Sequence, residues 1–371
     1  MNSLALLPPN AKEHFPGIKY STTIHNQQFS FGVLNTAIPA PDQEDPLGDY
    51  KVLILKKAIS INFRDLSMLF TLNNSLKQLA NGHHFFGSDF VGEVVGVGNK
   101  VRSIKVGDRV IPNCDYFAKP LKNVSRKGIP SNRASMAYEF MLADKLIKID
   151  DQLSDEIAAS ISVGIQTAYA MIRKAKLKKK SRILITSGSS NTSVFILEAL
   201  SAKGYLPTVI TSNPETFLAF ANTHEREVIL YQQLDDLTSS LQKLCSDKGN
   251  FDIVFDPFAD VFFEKLLPFM AVNGKYITCG LYKQKPEFTD QHQTGSVSFG
   301  YLLAHMIMKN VQLIGNCLGT TQDLLNGIED IKNGRLNINI QNIYQLDELG
   351  AFIEKAFNDK SRIGKVVLKY A

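Results

Sequence analysis

"RILITSGSSNTSVFILEALSAKG", residues 182–204, is the stretch that decides how this chain is read. Its apolar start predicts a buried strand, and "SVFILEALSAKG" predicts a helix that ends at Gly204. Between them the chain turns from strand into helix. A helix start presents unpaired N–H groups and the positive end of the helix dipole, so a phosphate fits there. Dinucleotide-binding turns usually carry two or three glycines, for a tight turn, for close approach of backbone to phosphate, and for helix–strand packing. Here Gly188 stands among Ser189, Ser190, Asn191, Thr192 and Ser193. Gly188 is expected to take a positive-φ position, with Asn191 the next most tolerant type. Ser193 is small enough for the packing place. The hydroxyls of Ser189, Ser190, Thr192 and Ser193 are expected to bond phosphate oxygens or cap the helix. The competing reading is an ordinary Ser/Asn cap with no ligand.

Around this turn strand and helix alternate from Ser154 to about residue 316. "LPTVIT", "EVILY", "FDIVFD", "KYITCG" and "VQLIG" read as strands, separated by helical runs with short connections. That pattern predicts a parallel sheet with helices on both faces. The second strand runs into Thr211, Ser212 and Asn213. An acid there would bond a ribose 2′-OH and repel a 2′-phosphate; Ser212 does not repel, which favours NADPH over NADH. Glu215 and the lack of a nearby Lys or Arg in "NPETFLAF" count the other way. The first 150 residues differ. "KVLILKKAISIN" and "FVGEVVGVGNKVRSIKVGDRVIP" alternate apolar and polar residues between glycine turns, as short antiparallel strands do. The end, "LDELGAFIEKAFNDKSRIGKVVLKYA", reads as helix, glycine turn and strand.

Bulk composition restricts the function classes. A chain of 371 residues with 44% apolar residues has material for two domains with buried cores. The net charge of +5 is spread along the chain, so no concentrated basic face points to nucleic acid. The apolar runs are too short for a membrane span, and "MNSLALLPPNAKEHF" lacks the basic start and long apolar run of a signal peptide. Cys114, Cys245, Cys279 and Cys317 have no zinc-knuckle spacing and read as reduced thiols, so a cytoplasmic location is expected.

Four segments carry a resemblance: "INFRD" (61–65), "GSDFVGEVVGVGNKVRSIKVGDRV" (87–110), "SVGIQTAYAMI" (162–172) and "RIGKVVL" (362–368). Together, in this order, they resemble the medium-chain dehydrogenase/reductase superfamily, in its zinc-independent quinone oxidoreductase and enoyl reductase branch. The resemblance implies an α/β protein: a Rossmann-type doubly wound parallel sheet inserted in a mainly β, GroES-like catalytic domain. The expected division is catalytic domain 1–157, nucleotide-binding domain 158–320, catalytic domain 321–371. It implies that Asn62, Thr167, Cys279, Gly280, Leu281, Asn316 and Leu318 surround the nicotinamide and that Lys365 lies near phosphate or ribose. It also implies a homodimer paired through "KNVQLIGN" (309–316). The sequence departs from zinc-dependent members at Asn62, at Gly87-Ser88-Asp89 and at Val163, where they carry metal ligands, so no metal is expected.

Without a Lewis acid, the easier hydride chemistry is conjugate reduction. An activated C=C takes hydride at its β-carbon, a developing enolate needs hydrogen-bond donors, and the α-carbon then takes a proton. Asn62 and Tyr116 are the candidate catalytic residues, Tyr116 as proton donor or else a rim residue. Arg64 and Asp65 read as a structural pair, and His83 and His84 as loop residues. "KPLKNVSRKGIPSNR" (119–133) has five basic residues and no acid. It reads either as a solvated loop or as a landing site for a carboxylate, a CoA-type phosphate or an acidic peptide. The expected substrate is a small molecule or peptide with an activated double bond, dehydroamino acids included. The alternatives are a quinone oxidoreductase and a non-catalytic nucleotide binder.

Overall fold

Positive φ at His25 (44°) and Asn26 (62°) makes a two-residue turn between the strands either side of it, the geometry that matches strand twist in a hairpin. The hairpin belongs to a three-stranded antiparallel sheet of β1 (Asn2–Leu7), β2 (Lys19–Ile24) and β3 (Gln27–Asn35), in the order β1-β3-β2. The structure is a computed structural model. It describes residues 1–9, 17–42, 44–45, 47–77, 82–116, 128–221, 227–282 and 298–370.

The chain divides into two compact units. The first comprises Met1–Gln166, Thr320–Leu324 and Ile338–Ala371, and the second Thr167–Gly319 with Leu325–Asn337. The first boundary falls at 166 rather than at the expected 157, within α2 (Asp155–Ala175), which runs from one unit into the other. Residues 325–337 also group with the second unit, not with the catalytic domain as expected.

In the first unit β4 (Lys51–Ser60), α1 (Phe63–Leu76), β5 (Asp89–Val97), β6 (Arg109–Pro112), β7 (Tyr138–Leu142) and β8 (Leu146–Ile149) precede α2. β4 alternates half-buried and buried residues over most of its length, as a strand with one face on a core must. Its end is the organising point. Ser60 lies opposite Asp89 of β5. On its other side Ser60 lies opposite Val367 of the last strand, at the C-terminal end of the chain.

The second unit is β9 (Ile183–Ile185), α3 (Asn191–Ser201), β10 (Thr208–Thr211), α4 (Pro214–Ala221), β11 (Val228–Leu230), α5 (Leu234–Lys248), β12 (Phe251–Asp256), α6 (Ala259–Leu266), β13 (Met270–Thr278), α7 (Phe299–Lys309) and β14 (Gln312–Gly315). All its strand pairs are parallel. The order is β11-β10-β9-β12-β13-β14, the doubly wound Rossmann order, with its switch point between β9 and β12. The remaining elements are α8 (Thr321–Lys332), β15 (Ile340–Gln345), α9 (Leu349–Ile353) and β16 (Lys365–Lys369). β15 and β16 complete the seven-stranded sheet of the first unit against β4. The core of the second unit gathers Leu184, Phe251, Val254, Phe262, Leu266 and Tyr276 between sheet and helices.

Candidate nucleotide and active site

In the second unit, β9 delivers the chain to α3 through a turn whose left-handed residue is Ser187, at φ 50°. Gly188 is not at positive φ, and Asn191 begins the helix, so both φ expectations are corrected. Glycine is required at 188 for a different reason. A Cβ there would stand 2.8 Å from Val209 Cγ1 and 3.3 Å from Thr211 Cβ. Gly188 N donates to the Ile210 carbonyl at 2.9 Å, so the turn lies directly on β10. Ser190 is the N-cap of α3 and makes no side-chain cap bond. Ser189, Ser190 and Thr192 are half-buried. Among the described residues no partner takes their hydroxyls. Ser193 does not belong with them. It is buried, and its hydroxyl donates to the Thr186 carbonyl at 2.7 Å, which ties helix to strand and removes it from a phosphate cradle.

Beneath the turn lies a network that sequence reasoning missed. Asp256, at the end of β12, is fully buried. It accepts from Thr186 Oγ1 at 2.6 Å, from the Phe258 N–H at 2.9 Å and from the Tyr276 hydroxyl. Burial pushes its carboxyl up from the ordinary aspartate value, against those three donors. This network bridges β9, β12 and β13 at the switch point. The sequence signal was an acid ending the apolar strand "FDIVFD".

At the end of β10, Ser212 is exposed and shares a hydrogen bond with Tyr231. Asn213, expected at the nucleotide, also caps a helix. Its Oδ1 accepts from Glu215 N at 2.9 Å and Thr216 N at 3.2 Å, which closes the start of α4. The other nicotinamide candidates converge at the ends of two neighbouring strands, where Thr278 lies in register with Gly315. Cys279, Gly280 and Leu281 follow β13, and Asn316 and Leu318 follow β14. Asn316 is 6% exposed. It donates its N–H to the Thr278 carbonyl at 2.7 Å and its amide to the Leu318 carbonyl at 2.9 Å. Among the described residues no donor reaches its buried Oδ1. Burial pushes the Cys279 thiol up to about 12, so it is no nucleophile at neutral pH. Thr167 is buried in α2 at the first position of this unit.

In the first unit a polar cluster forms where β4, β5 and β16 end together. Lys365 is 1% exposed, and its ammonium donates to Asn62 Oδ1 at 2.7 Å, Ser60 Oγ at 3.0 Å and Asp89 Oδ2 at 3.3 Å. An ammonium has three N–H donors, and all three are taken inside this unit. Asp89 is fully buried, and its other oxygen accepts from Val163 N at 2.9 Å. Asn62 donates through Nδ2 to Ser88 Oγ at 3.2 Å, and Ser88 donates to both oxygens of Asp65 at 2.8 and 3.0 Å. Asp65 also accepts from Asn62 N at 2.9 Å and pairs with Arg64 at 2.9 Å, the brace expected of those two residues. Burial pulls the Lys365 pKa down, and Asp89 and Asp65 oppose it.

This donor set does not fit the zinc that many members of the superfamily hold. The matching positions offer an amide, a hydroxyl, a carboxylate already paired to an ammonium, and a valine. Among the described residues, no group of three His, Cys, Asp or Glu is placed to hold a metal ion.

Tyr116 is 39% exposed. Its neighbour Asp115 accepts from Thr321 N and Oγ1, both at 2.7 Å, and so caps α8. The basic run enters the described residues only at Gly128; residues 119–127 lie outside them. His83 and His84 line a cavity of about 780 Å³ in the first unit with Met68, Leu72, Phe85 and Arg133. His84 bonds Ser75 Oγ at 2.9 Å, and His83 lies edge-on to Phe85 at 5.2 Å.

The GroES-like first unit and the Rossmann-ordered second unit have the fold of the medium-chain dehydrogenases and reductases, the class the sequence resembles. Residues 48–151 match the alcohol dehydrogenase GroES-like domain family. The chain is 22% identical to acryloyl-coenzyme A reductase of Metallosphaera sedula, over 86% of this chain and 92% of that protein. It is 25% identical to squalestatin hexaketide synthase of a Phoma species, over 79% of this chain. It spans only 11% of that synthase's length. In structure it is similar to 2-octenoyl-CoA carboxylase reductase of a Streptomyces species, with TM-score 0.72, 20% identity and coverage of 100% of this chain and 87% of that one. Among the described residues no helix is long and apolar enough to cross a membrane.

Proposed function

We propose that the protein is an NADPH-dependent oxidoreductase that reduces an activated carbon–carbon double bond without a metal. The observation that carries this reading is the cluster around Asn62, which puts an amide and a buried ammonium where the superfamily's zinc-dependent members place metal ligands. Conjugate reduction asks for hydrogen-bond donors to an enolate oxygen rather than for a Lewis acid on an alcohol. The names of acryloyl-CoA reductase and 2-octenoyl-CoA carboxylase reductase point to the same kind of substrate, an unsaturated thioester.

The second unit fits a nicotinamide dinucleotide. The start of α3, with Ser189, Ser190 and Thr192 and the close backbone at Gly188, would hold the pyrophosphate. Ser212 would face the 2′-phosphate. Cys279 to Leu281 and Asn316 to Leu318 would surround the nicotinamide, with the unpartnered Asn316 Oδ1 as acceptor. The reduced cofactor, when bound, supplies the hydride. Asn62 would donate to the substrate carbonyl oxygen, and Tyr116 would supply the proton to the α-carbon. The four unpaired cysteines are compatible with the expected cytosolic setting. The exposed edge of β14 is compatible with a homodimer.

The test is titration of the protein with NADPH and NADH by fluorescence, followed by NADPH oxidation with acryloyl-CoA, a simple enone, a dehydroamino-acid peptide and a quinone. Turnover of the enone or thioester, with tighter binding of NADPH, is the expected result. Turnover of quinone alone would move the protein to the quinone oxidoreductases. Binding without turnover would make it a non-catalytic binder, and failure to bind either nucleotide would refute the reading.

A further inference from the structure

The cavity bordered by His83 and His84 is lined by residues of the first unit alone. Met68 and Leu72 of α1 and Phe140 and Leu142 of β7 give it apolar walls. Its polar lining is cationic. Lys145, in the turn after β7, is 4% exposed, and its Nζ is buried with no hydrogen-bond partner among the described residues. A buried ammonium with nothing to donate to is costly, so it points to an acceptor from outside the chain. Arg133 borders the same cavity from the surface. Its guanidinium stands 5.9 Å over the Phe85 ring and 2.8 Å from Met136 Sδ, a weak acceptor, and among the described residues no carboxylate pairs with it. The one carboxylate in the lining, Glu139, is already engaged by Lys56 at 2.5 Å and by the Ser131 hydroxyl at 2.8 Å. Lys51 pairs with Asp45, which leaves Lys145 and Arg133 as the uncompensated charges. Burial, the neighbouring His84 and the Arg133 charge hold the His83 pKa below the ordinary histidine value, so its ring is neutral at neutral pH. Asn132 Oδ1 is buried without a partner as well, and the amide can turn over to present an N–H there.

We propose that this cavity is a binding site for a carboxylate with an apolar body, of the kind a medium-chain fatty acid provides. The Lys145 ammonium is its buried anchor, and Arg133 adds positive charge from the solvent side. A volume of about 780 Å³ suits such a ligand, since small-molecule sites run from about 300 to 1,000 Å³ and combine apolar walls with few polar groups. On binding, the ammonium gains the acceptor it lacks, in a charge-assisted hydrogen bond. The apolar body leaves water for Met68, Leu72 and Phe140. A phosphate group asks for more, because it brings up to two charges and three strong acceptor oxygens, and the lining holds a single buried ammonium among mostly apolar side chains. The proposal stands apart from the double-bond reduction and does not rest on it.

The experiment titrates the full chain with decanoate, decanol and inorganic phosphate by calorimetry, and follows 13C spectra of methyl-labelled methionine. Wild type is compared with Lys145→Met and Arg133→Gln. Decanoate should occupy a single site and shift the signals of Met68 and Met141, both in the lining. Decanol and phosphate should bind at least about tenfold more weakly, because each supplies half of what the cavity recognises. Lys145→Met should weaken decanoate by about tenfold or more and Arg133→Gln by about threefold, since a buried charge partner counts for more than an exposed one. Melting separates binding from structure. An ammonium without a partner lends the unliganded fold nothing, so Lys145→Met should melt at or above wild type and gain less from decanoate. Absence of decanoate binding, binding that leaves both methionine signals unmoved, or equal affinity for decanol overturns the proposal. Phosphate bound as tightly as decanoate also overturns it and makes the site one for bare anions. A Lys145→Met chain that melts well below wild type or fails to fold shows an ammonium already satisfied, with the same consequence. The surface variant Arg133→Gln then still reports whether the cavity charge acts on decanoate.

Discussion

At Ser187 the chain turns through a left-handed φ of 50° without glycine, and the glycine beside it is spent on packing against β10. Spacing in a sequence shows that one glycine is present but not which of three jobs it does, and the left-handed position falls to the serine before it. A methyl at 188 would press on Val209 and Thr211. Gly188→Ala is therefore expected to destabilise the protein by about 1–3 kcal/mol, as overpacking does. The check is a lower urea midpoint with an unchanged m-value. The cofactor preference turns on a neighbouring single residue. Ser212 is exposed, and a carboxylate there would meet a 2′-phosphate but accept a 2′-OH. Ser212→Asp should raise the NADPH Kd about tenfold or more and leave NADH binding equal or better, measured by fluorescence titration. Equal loss of both nucleotides would show that Ser212 does not face the adenosine ribose. The hydroxyls of Ser189, Ser190 and Thr192 were legible as candidates from composition alone. Ser193 and Asn213 were not separable from them, because only the fold shows that their oxygens already have partners.

Elements were read more securely than residues. The alternation from Ser154 onward is enough to foresee a parallel sheet, because apolar strand-length runs alternate with helical runs. The sheet of β1, β2 and β3 was not foreseen: its strands are separated by residues with no repeating pattern, and its turn uses His25 and Asn26 in place of Asn-Gly. The β16 strand was legible as an element, but its register on β4 was not. That register carries Lys365 to Asn62 and, four residues on, Lys369 to Glu156 of α2 at 2.7 Å. Lys369 holds the Glu156 carboxyl down at about 2, from an ordinary 4.5. Because the folded pKa is depressed, this pair stabilises the fold above about pH 4.5, and the contribution is lost as pH falls toward 2. Both side chains are partly exposed, so solvent screening limits it to on the order of 1 kcal/mol. Glu156→Gln should lower stability by that amount at pH 7 and by nothing near pH 2. Denaturant melts across that range measure it, and a difference independent of pH would contradict the pairing.

At the scale of the whole molecule, the second unit ends its sheet at β14, which pairs with β13 on one side. Leu313 on that strand is 46% exposed. Beside it, α7 has no buried residue, and it exposes Phe299 (73%), Ile307 (73%) and Met308 (82%). An open strand edge next to an apolar helix is a surface that proteins cover, because it would otherwise template unwanted pairing. The sequence resemblance implied that a second copy covers it through 309–316. A two-fold axis at β14 would set each edge against its twin, so that one patch serves both partners. The expected state in solution is a homodimer, with a mass by light scattering of twice the 41.3 kDa chain. Leu313→Asp together with Met308→Asp would place like charges across that axis and remove apolar area. The double variant should run as a folded monomer, with NADPH binding by the isolated second unit's residues largely retained. A wild type that is monomeric at micromolar concentration would leave this surface to another partner. A double variant that stays dimeric would place the interface elsewhere on the chain.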